Sequence, residues 1–153
     1  MRRLLSAVLC LVGASICTPE LAKADDFVTA YETTASFGDA SADLEDAIIN
    51  RGYVVENHGN IGDMLKRTAD AVGATRTIYR HAEFFEFCSA VVSRAMMEAE
   101  ISNIAFCPLS LFVYEAEGKP GTVVVGFRRL PAGDGRDKVN DALDAIAREA
   151  AGR

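Results

Sequence analysis

The sequence predicts an α+β domain, a mixed, partly antiparallel sheet with helices packed on it in two layers, in the order β-α-β-α-β-α-β-β-α. Three observations predict it. Short runs rich in β-branched and aromatic residues alternate with longer stretches whose apolar residues recur at helical spacing. Two apolar runs, 104–115 and 122–128, flank the turn-forming segment EAEGKPG and read as a hairpin. The chain then closes on an amphipathic stretch over 136–151.

The elements follow in order. Residues 27–35 (FVTAYETTA) alternate loosely and predict a first strand, which Gly38 and Asp39 break. Asp39 or Ser41 caps a helix whose apolar stripe is Ala40, Leu44, Ala47 and Ile48, and Gly52 ends it. Residues 53–55 predict a short strand, and Asn57-His58-Gly59-Asn60 a turn. Asn60 with Asp63 resembles a capping box for a second helix, with Ile61, Leu65, Thr68 and Val72 on one face and Gly73 as its stop. Residues 74–81 read as loop and 83–88 (EFFEFC) as a strand. Residues 89–100 form a third helix with Val92, Met96 and Ala99 aligned. A turn at Ser102-Asn103 leads into the run 104–115, which Pro108 interrupts. In the last helix Val139, Leu143, Ile146 and Ala150 face inward, and Asp144 and Arg148 make an i,i+4 pair on the wet side.

Residues 1–24 carry the marks of a secretory signal peptide. Arg2 and Arg3 precede an apolar stretch over 4–16, and Ala22-Lys23-Ala24 supplies the small residues of a cleavage site between Ala24 and Asp25. The apolar run is shorter than the roughly 18 residues a spanning helix needs, and no other run is long enough. Residues 25–153 then form one domain, exported across the cytoplasmic membrane and expected to be periplasmic. The whole chain has 16 basic and 22 acidic residues; without Arg2, Arg3, Lys23 and Glu20 the balance is 13 to 21, a net of −8. An acidic domain with no basic block is a poor partner for nucleic acid or an anionic membrane.

Export decides how the cysteines are read. Of four, Cys10 and Cys17 leave with the signal, and Cys88 and Cys107 remain. An oxidising compartment permits a disulfide between them. Closing a loop over those 19 positions is worth about 3 kcal/mol in the chain-entropy account. Cys88 lies where a strand hands over to a helix, so the helix dipole favours its thiolate. Cys107 precedes Pro108 inside a strand, which predicts an edge or a bulge there. Four readings stay open: a structural disulfide, a soft-metal or haem ligand pair, a reactive or redox thiol, and two inert thiols.

Other candidates are weaker. Met96 stands eight positions beyond Cys88, about 12 Å along a helix, too far for a shared metal shell; it reads as core filler. His58, in its turn, could ligate a metal or titrate near neutral pH, and His81 adds no metal spacing to it. Arg94, Arg128 and Arg129 could hold an anion, against the plainer reading that Arg128 and Arg129 balance Glu115 and Glu117 across the hairpin. No Ser-His-Asp arrangement, nucleophile elbow, P-loop or dinucleotide fingerprint occurs. The residues name no cofactor, small ligand or envelope partner.

Several blocks resemble one family. Phe87-Cys88-Ser89-Ala90, Ser93-Arg94-Ala95-Met96-Met97, Asn103-Ile104-Ala105-Phe106-Cys107-Pro108, Val113-Tyr114-Glu115 and Gly126-Phe127-Arg128-Arg129 are similar to the domain of unknown function 302 family, with Arg51-Gly52-Tyr53 fitting its opening segment. The resemblance covers roughly residues 35–130. It implies a compact α+β domain with a mixed sheet, is compatible with a homodimer, and carries no activity with it. Many relatives place proline before cysteine where this chain has Cys107-Pro108, so no site role is transferred. The resulting expectation is a non-enzymatic binding or accessory module with Cys88 and Cys107 as a disulfide or soft-ligand site. The alternative is a thiol–disulfide redox protein or a thiol enzyme using Cys88.

Overall fold

The structure, a computed structural model, describes residues 27–153. The expected signal segment and its Ala24–Asp25 cut lie outside the described residues. The elements are β1 (Val28–Thr33), α1 (Phe37–Ile49), β2 (Val54–Asn60), α2 (Ile61–Thr68), β3 (Tyr79–Cys88), α3 (Ala90–Ala99), β4 (Leu109–Ala116), β5 (Val123–Arg128) and α4 (Arg136–Ala150), with 3₁₀ turns over Asp70–Val72 and Ile101–Phe106. The element order is the expected one, and the domain is α+β. The five strands form one open sheet in the order β1-β5-β4-β3-β2. All four pairings are antiparallel, so the sheet is not mixed. The reason lies in the first crossover. α1 joins β1 to β2 across the full width of the sheet, so these two strands, which run in the same direction, never become neighbours.

Period-2 alternation on the central strands aims Phe85, Phe87, Leu109, Leu111, Val113, Val123, Val125 and Phe127 at the helix layer, where all are buried. The expected stripes of α1 (Ala40, Leu44, Ala47, Ile48) and α4 (Val139, Leu143, Ile146, Ala150) meet them there. Met96 of α3 is fully buried in the same core, the filler role its spacing suggested. Across the layers, Tyr31 on β1 donates its hydroxyl to the Asp144 carboxylate on α4.

Four local expectations change. Gly38 and Asp39 do not break the chain but lie in the first turn of α1. Ser36 is the cap: its hydroxyl accepts from the Asp39 amide at 3.2 Å and donates to the Asp39 carboxylate at 2.6 Å. The Asn57–Asn60 cluster is extended, not turned; it pairs with Glu86 to Glu83 after a bulge at Glu56. Gly59 is needed there because a Cβ would stand 2.2 Å from the Phe84 ring. β3 begins at Tyr79, four residues before the expected start, because its ladder with β4 runs on to Ala116. Residues 104–106 belong to the second 3₁₀ turn rather than a strand. Pro108 accordingly precedes β4, an interior strand of the sheet, where its missing N–H costs no ladder bond. The Cys107-Pro108 peptide is cis.

Candidate functional site

Two connections build the site. β3 ends at Cys88, and Ser89 caps α3 by accepting the Val92 amide on its hydroxyl at 3.1 Å. α3 leads into the 3₁₀ turn Ile101–Phe106, whose closing residue is Cys107. β3 and β4 pair with Phe87 opposite Leu109, which sets Cys88 beside the residues just ahead of β4. Cys107 lies two residues ahead of Leu109, so the register brings both cysteines to the same end of the sheet. Both are free thiols and both are half-buried.

Burial, first, pushes the Cys88 thiol up to about 11, and the contact with Cys107 and the nearby Glu56 carboxylate act in the same direction. The Leu109 backbone N–H alone works the other way. The expectation that the helix start favours a Cys88 thiolate therefore does not hold. Cys88 stands one residue outside the cap, and the Ser89 and Ser93 hydroxyls already occupy the Val92 and Ser89 amides. Glu56 was not visible as a site residue in the sequence; it is the extra residue of the β2 bulge.

A buried polar lock fixes the segment carrying Cys107. Asn103 is fully buried. Its amide nitrogen donates to the Met96 carbonyl at 2.8 Å and the Asp134 carbonyl at 3.0 Å, and its oxygen accepts from Arg136 Nη1 at 2.7 Å. Arg136, 12% exposed, also pairs with the Asp134 carboxylate at 2.9 Å and lies over the Phe106 ring.

His58 is not in a turn but on β2, stacked on Phe85 with centroids 4.2 Å apart. Its Nε2 lies 3.0 Å from Glu83 Oε2, the same oxygen that accepts the Ser41 hydroxyl at 2.6 Å; Asn60 donates to Oε1 at 3.3 Å. Ser41 and His58 thus share a carboxylate rather than contact one another, so they do not form a nucleophile–base pair. His81 stacks on Phe37.

The arginines are not gathered into an anion site among the described residues. Arg94 pairs with Glu98 on its own helix at 2.7 Å, Arg129 donates to the Thr29 hydroxyl at 2.8 Å, and Arg128 is exposed opposite Val28. Nor does the hairpin balance hold: Glu115 faces Val123 in the ladder, and Glu117 pairs with Arg80 at 3.5 Å. Arg128 lies five residues along β5 from Val123, the register partner of Glu115, so the hairpin register keeps the two charges apart.

A model of the family described as "Domain of unknown function DUF302" matches residues 29–151. The chain belongs to the DUF302 family. The match spans every strand and helix described above apart from Val28, the first residue of β1. A solved structure, that of an uncharacterized conserved DUF302 protein from Bacillus stearothermophilus, is similar with a TM-score of 0.66 at 16% identity, covering 81% of this chain and 98% of that one. At that identity the likeness concerns the DUF302 fold. No curated protein matches the chain.

Proposed function

We propose that this DUF302 domain is an exported, non-enzymatic binding or accessory module built on a paired-thiol site, Cys88 with Cys107, which closes as a disulfide in an oxidising compartment. The β3–β4 register, which sets Cys88 beside the segment that carries Cys107, carries the reading. A disulfide needs its cysteines on neighbouring, correctly spaced segments, and the end of β3 and the approach to β4 are such segments. Export rests on the Arg2-Arg3, apolar and Ala22-Lys23-Ala24 pattern, and a periplasmic setting would supply the oxidant.

The surroundings of Cys88 speak against a thiol enzyme. A nucleophilic cysteine works as its thiolate, beside a base or a positive charge. The groups that act on Cys88 are a second thiol, a carboxylate and one amide. His58 is engaged with Glu83 on another part of the sheet.

Intact mass of protein recovered from the bacterial periplasm, measured before and after reduction, tests the proposal. The untreated protein is expected two hydrogens lighter than the reduced one, and peptide mapping should join Cys88 to Cys107. Two cysteines that alkylate freely without reductant would overturn it.

A further inference from the structure

We propose that the sheet face left uncovered by the helix layer is a stacking site for a planar aromatic cation. The inference is independent of the cysteines and adds a second site to the domain. Alternation along β3 and β4 sends Phe85, Phe87, Leu111 and Val113 to the core. It sends Phe84, Phe112 and Tyr114 to the opposite face, where all three are half-buried. Strands apolar on both sides belong to sheets covered on both sides. Here α2 covers one end of that face, where Gly62 stands against the Ala82 backbone.

Ring geometry identifies the occupant. Gly126 on β5 and Gly59 on β2 are the register partners of Phe112 and Phe84. Each ring fills the place that a Cβ on its glycine would need, at 2.6 Å for Phe112. Both rings therefore fold down across the neighbouring strands and turn a π face outward. Tyr114 lies within 23° of the Phe112 plane with centroids 5.9 Å apart, and Tyr79 stands against Tyr114 at 61°. The result is a two-ring floor with a wall. A groove of about 380 Å³ runs over it from Ala30 of β1 to Ile61 of α2, within the size range of small-molecule sites. Ring faces stack on planar partners and attract cations. Among the described residues no lysine or arginine lines the groove. Glu32 ends the row that runs through Val124 to Tyr114, and its pair with Lys119 is long, 3.7 Å, and exposed. Residues 25–153 carry 21 acidic and 13 basic side chains. That balance favours a cation over a nucleic-acid strand, which asks for a basic groove.

The probe is N-methylacridinium, a flat, fluorescent and permanently charged ring system, titrated with the purified protein. Its anisotropy is expected to rise to saturation at one dye per chain. Acridine at pH 8 has the same shape without the charge and should bind about 5- to 30-fold more weakly. Phe112→Leu keeps the apolar bulk, removes the π face and should weaken the dye by about tenfold. Glu32→Gln changes an exposed side chain and should weaken the dye by about threefold while leaving acridine unchanged; it carries the test if Phe112→Leu fails to fold. No saturable binding, equal binding of acridine and its N-methyl cation, or either folded variant binding the dye like wild type would overturn the inference. So would a dimer in sedimentation that the dye leaves intact, since a second copy would then cover the face. The mass measurement on the cysteines is independent of each of these results.

Discussion

Asn103 and Arg136 meet at 2.7 Å, the side-chain oxygen of one accepting from the guanidinium of the other. The contact ties the turn that ends in Cys107 to the first residue of α4. Asn103 also closes the C-terminal end of α3 through the Met96 carbonyl. Asn103→Ala removes three hydrogen bonds and leaves the Met96 carbonyl without its side-chain donor. The expected cost is about 2–3 kcal/mol, since stranding buried polar groups costs about 1–3 kcal/mol each and Arg136 keeps other partners. Urea unfolding of reduced protein measures it. Cys88–Cys107 disulfide formation should also slow, because Cys107 loses its anchor; an unchanged oxidation rate would mean that the lock does not position the thiol.

Cys88 should react slowly. With its thiol pushed up to about 11, only about one molecule in ten thousand carries the thiolate at pH 7. Iodoacetamide labelling of Cys88 in the reduced protein is expected to rise about tenfold per pH unit from pH 7 towards 10. The linkage has the same sign. A folded-state value above the unfolded one favours the fold below the unfolded value and is lost as pH climbs through about 11. Labelling at neutral pH at the rate of a simple exposed thiol would contradict this environment.

Gly126 sits where β5 passes between its neighbours. A Cβ there would stand 2.5 Å from the Thr29 carbonyl oxygen and 2.6 Å from the Phe112 ring. Backbone cannot yield as a long side chain can, so β1 must shift away from β5. Gly126→Ala is expected to destabilise by about 1–3 kcal/mol, the usual cost of overpacking. Gly118→Ala, with nothing within 4 Å, is the control and should lie near zero. Thermal unfolding of the pair decides it.

Tyr31 and Asp144 couple stability to acid. Burial alone would raise the Asp144 carboxyl, but hydrogen bonds from Tyr31 and Arg148, with the charges of Arg148 and Arg129, bring it below the ordinary value. A depressed carboxyl stabilises the fold above its unfolded value, and that contribution is lost as pH falls through the folded one. Tyr31→Phe should cost about 1 kcal/mol at pH 7, reduced for partial exposure from the roughly 1.5–3 kcal/mol of a buried hydrogen bond to a charged group. The gap to wild type should close as pH falls from the ordinary carboxylate range through the lower folded-state value. A gap of constant size down to pH 2 would assign the effect to packing instead.

These sites were unequally legible in the sequence. The stripes of α1 and α4 were legible because burial on one helical face leaves a period in the chain. Cys88 and Cys107 stood out because they are the two cysteines outside the expected signal segment. Their environment was hidden: Glu56 reaches the site through a bulge, and the Leu109 amide through a ladder register, neither of which has a local signature. Asn103 read as a turn residue because its three partners lie on α3, on the loop near 134 and on α4. The Asn57–Asn60 segment carries turn composition yet forms a strand. There the competing demands were tertiary, with Gly59 making room for Phe84 and Asn60 capping α2.

Glu83 is the residue on which that segment depends. It gathers Ser41 of α1 and His58 and Asn60 of β2, and its side chain is 16% exposed. β2 is an edge strand, paired only to β3. Glu83→Ala strands three donors at once and releases that edge from α1. The expected loss is about 1–2 kcal/mol, less than the sum for three bonds because His58 and Asn60 can turn to water. His58→Ala keeps the Ser41 and Asn60 bonds and removes a half-exposed pair, so it should cost about 0.5 kcal/mol or less. Hydrogen exchange gives the sharper readout. Amides of 57–60 should exchange faster in Glu83→Ala while those of β4 keep their protection. Equal acceleration across the sheet would mean that the carboxylate supports the global fold and not the β2 edge.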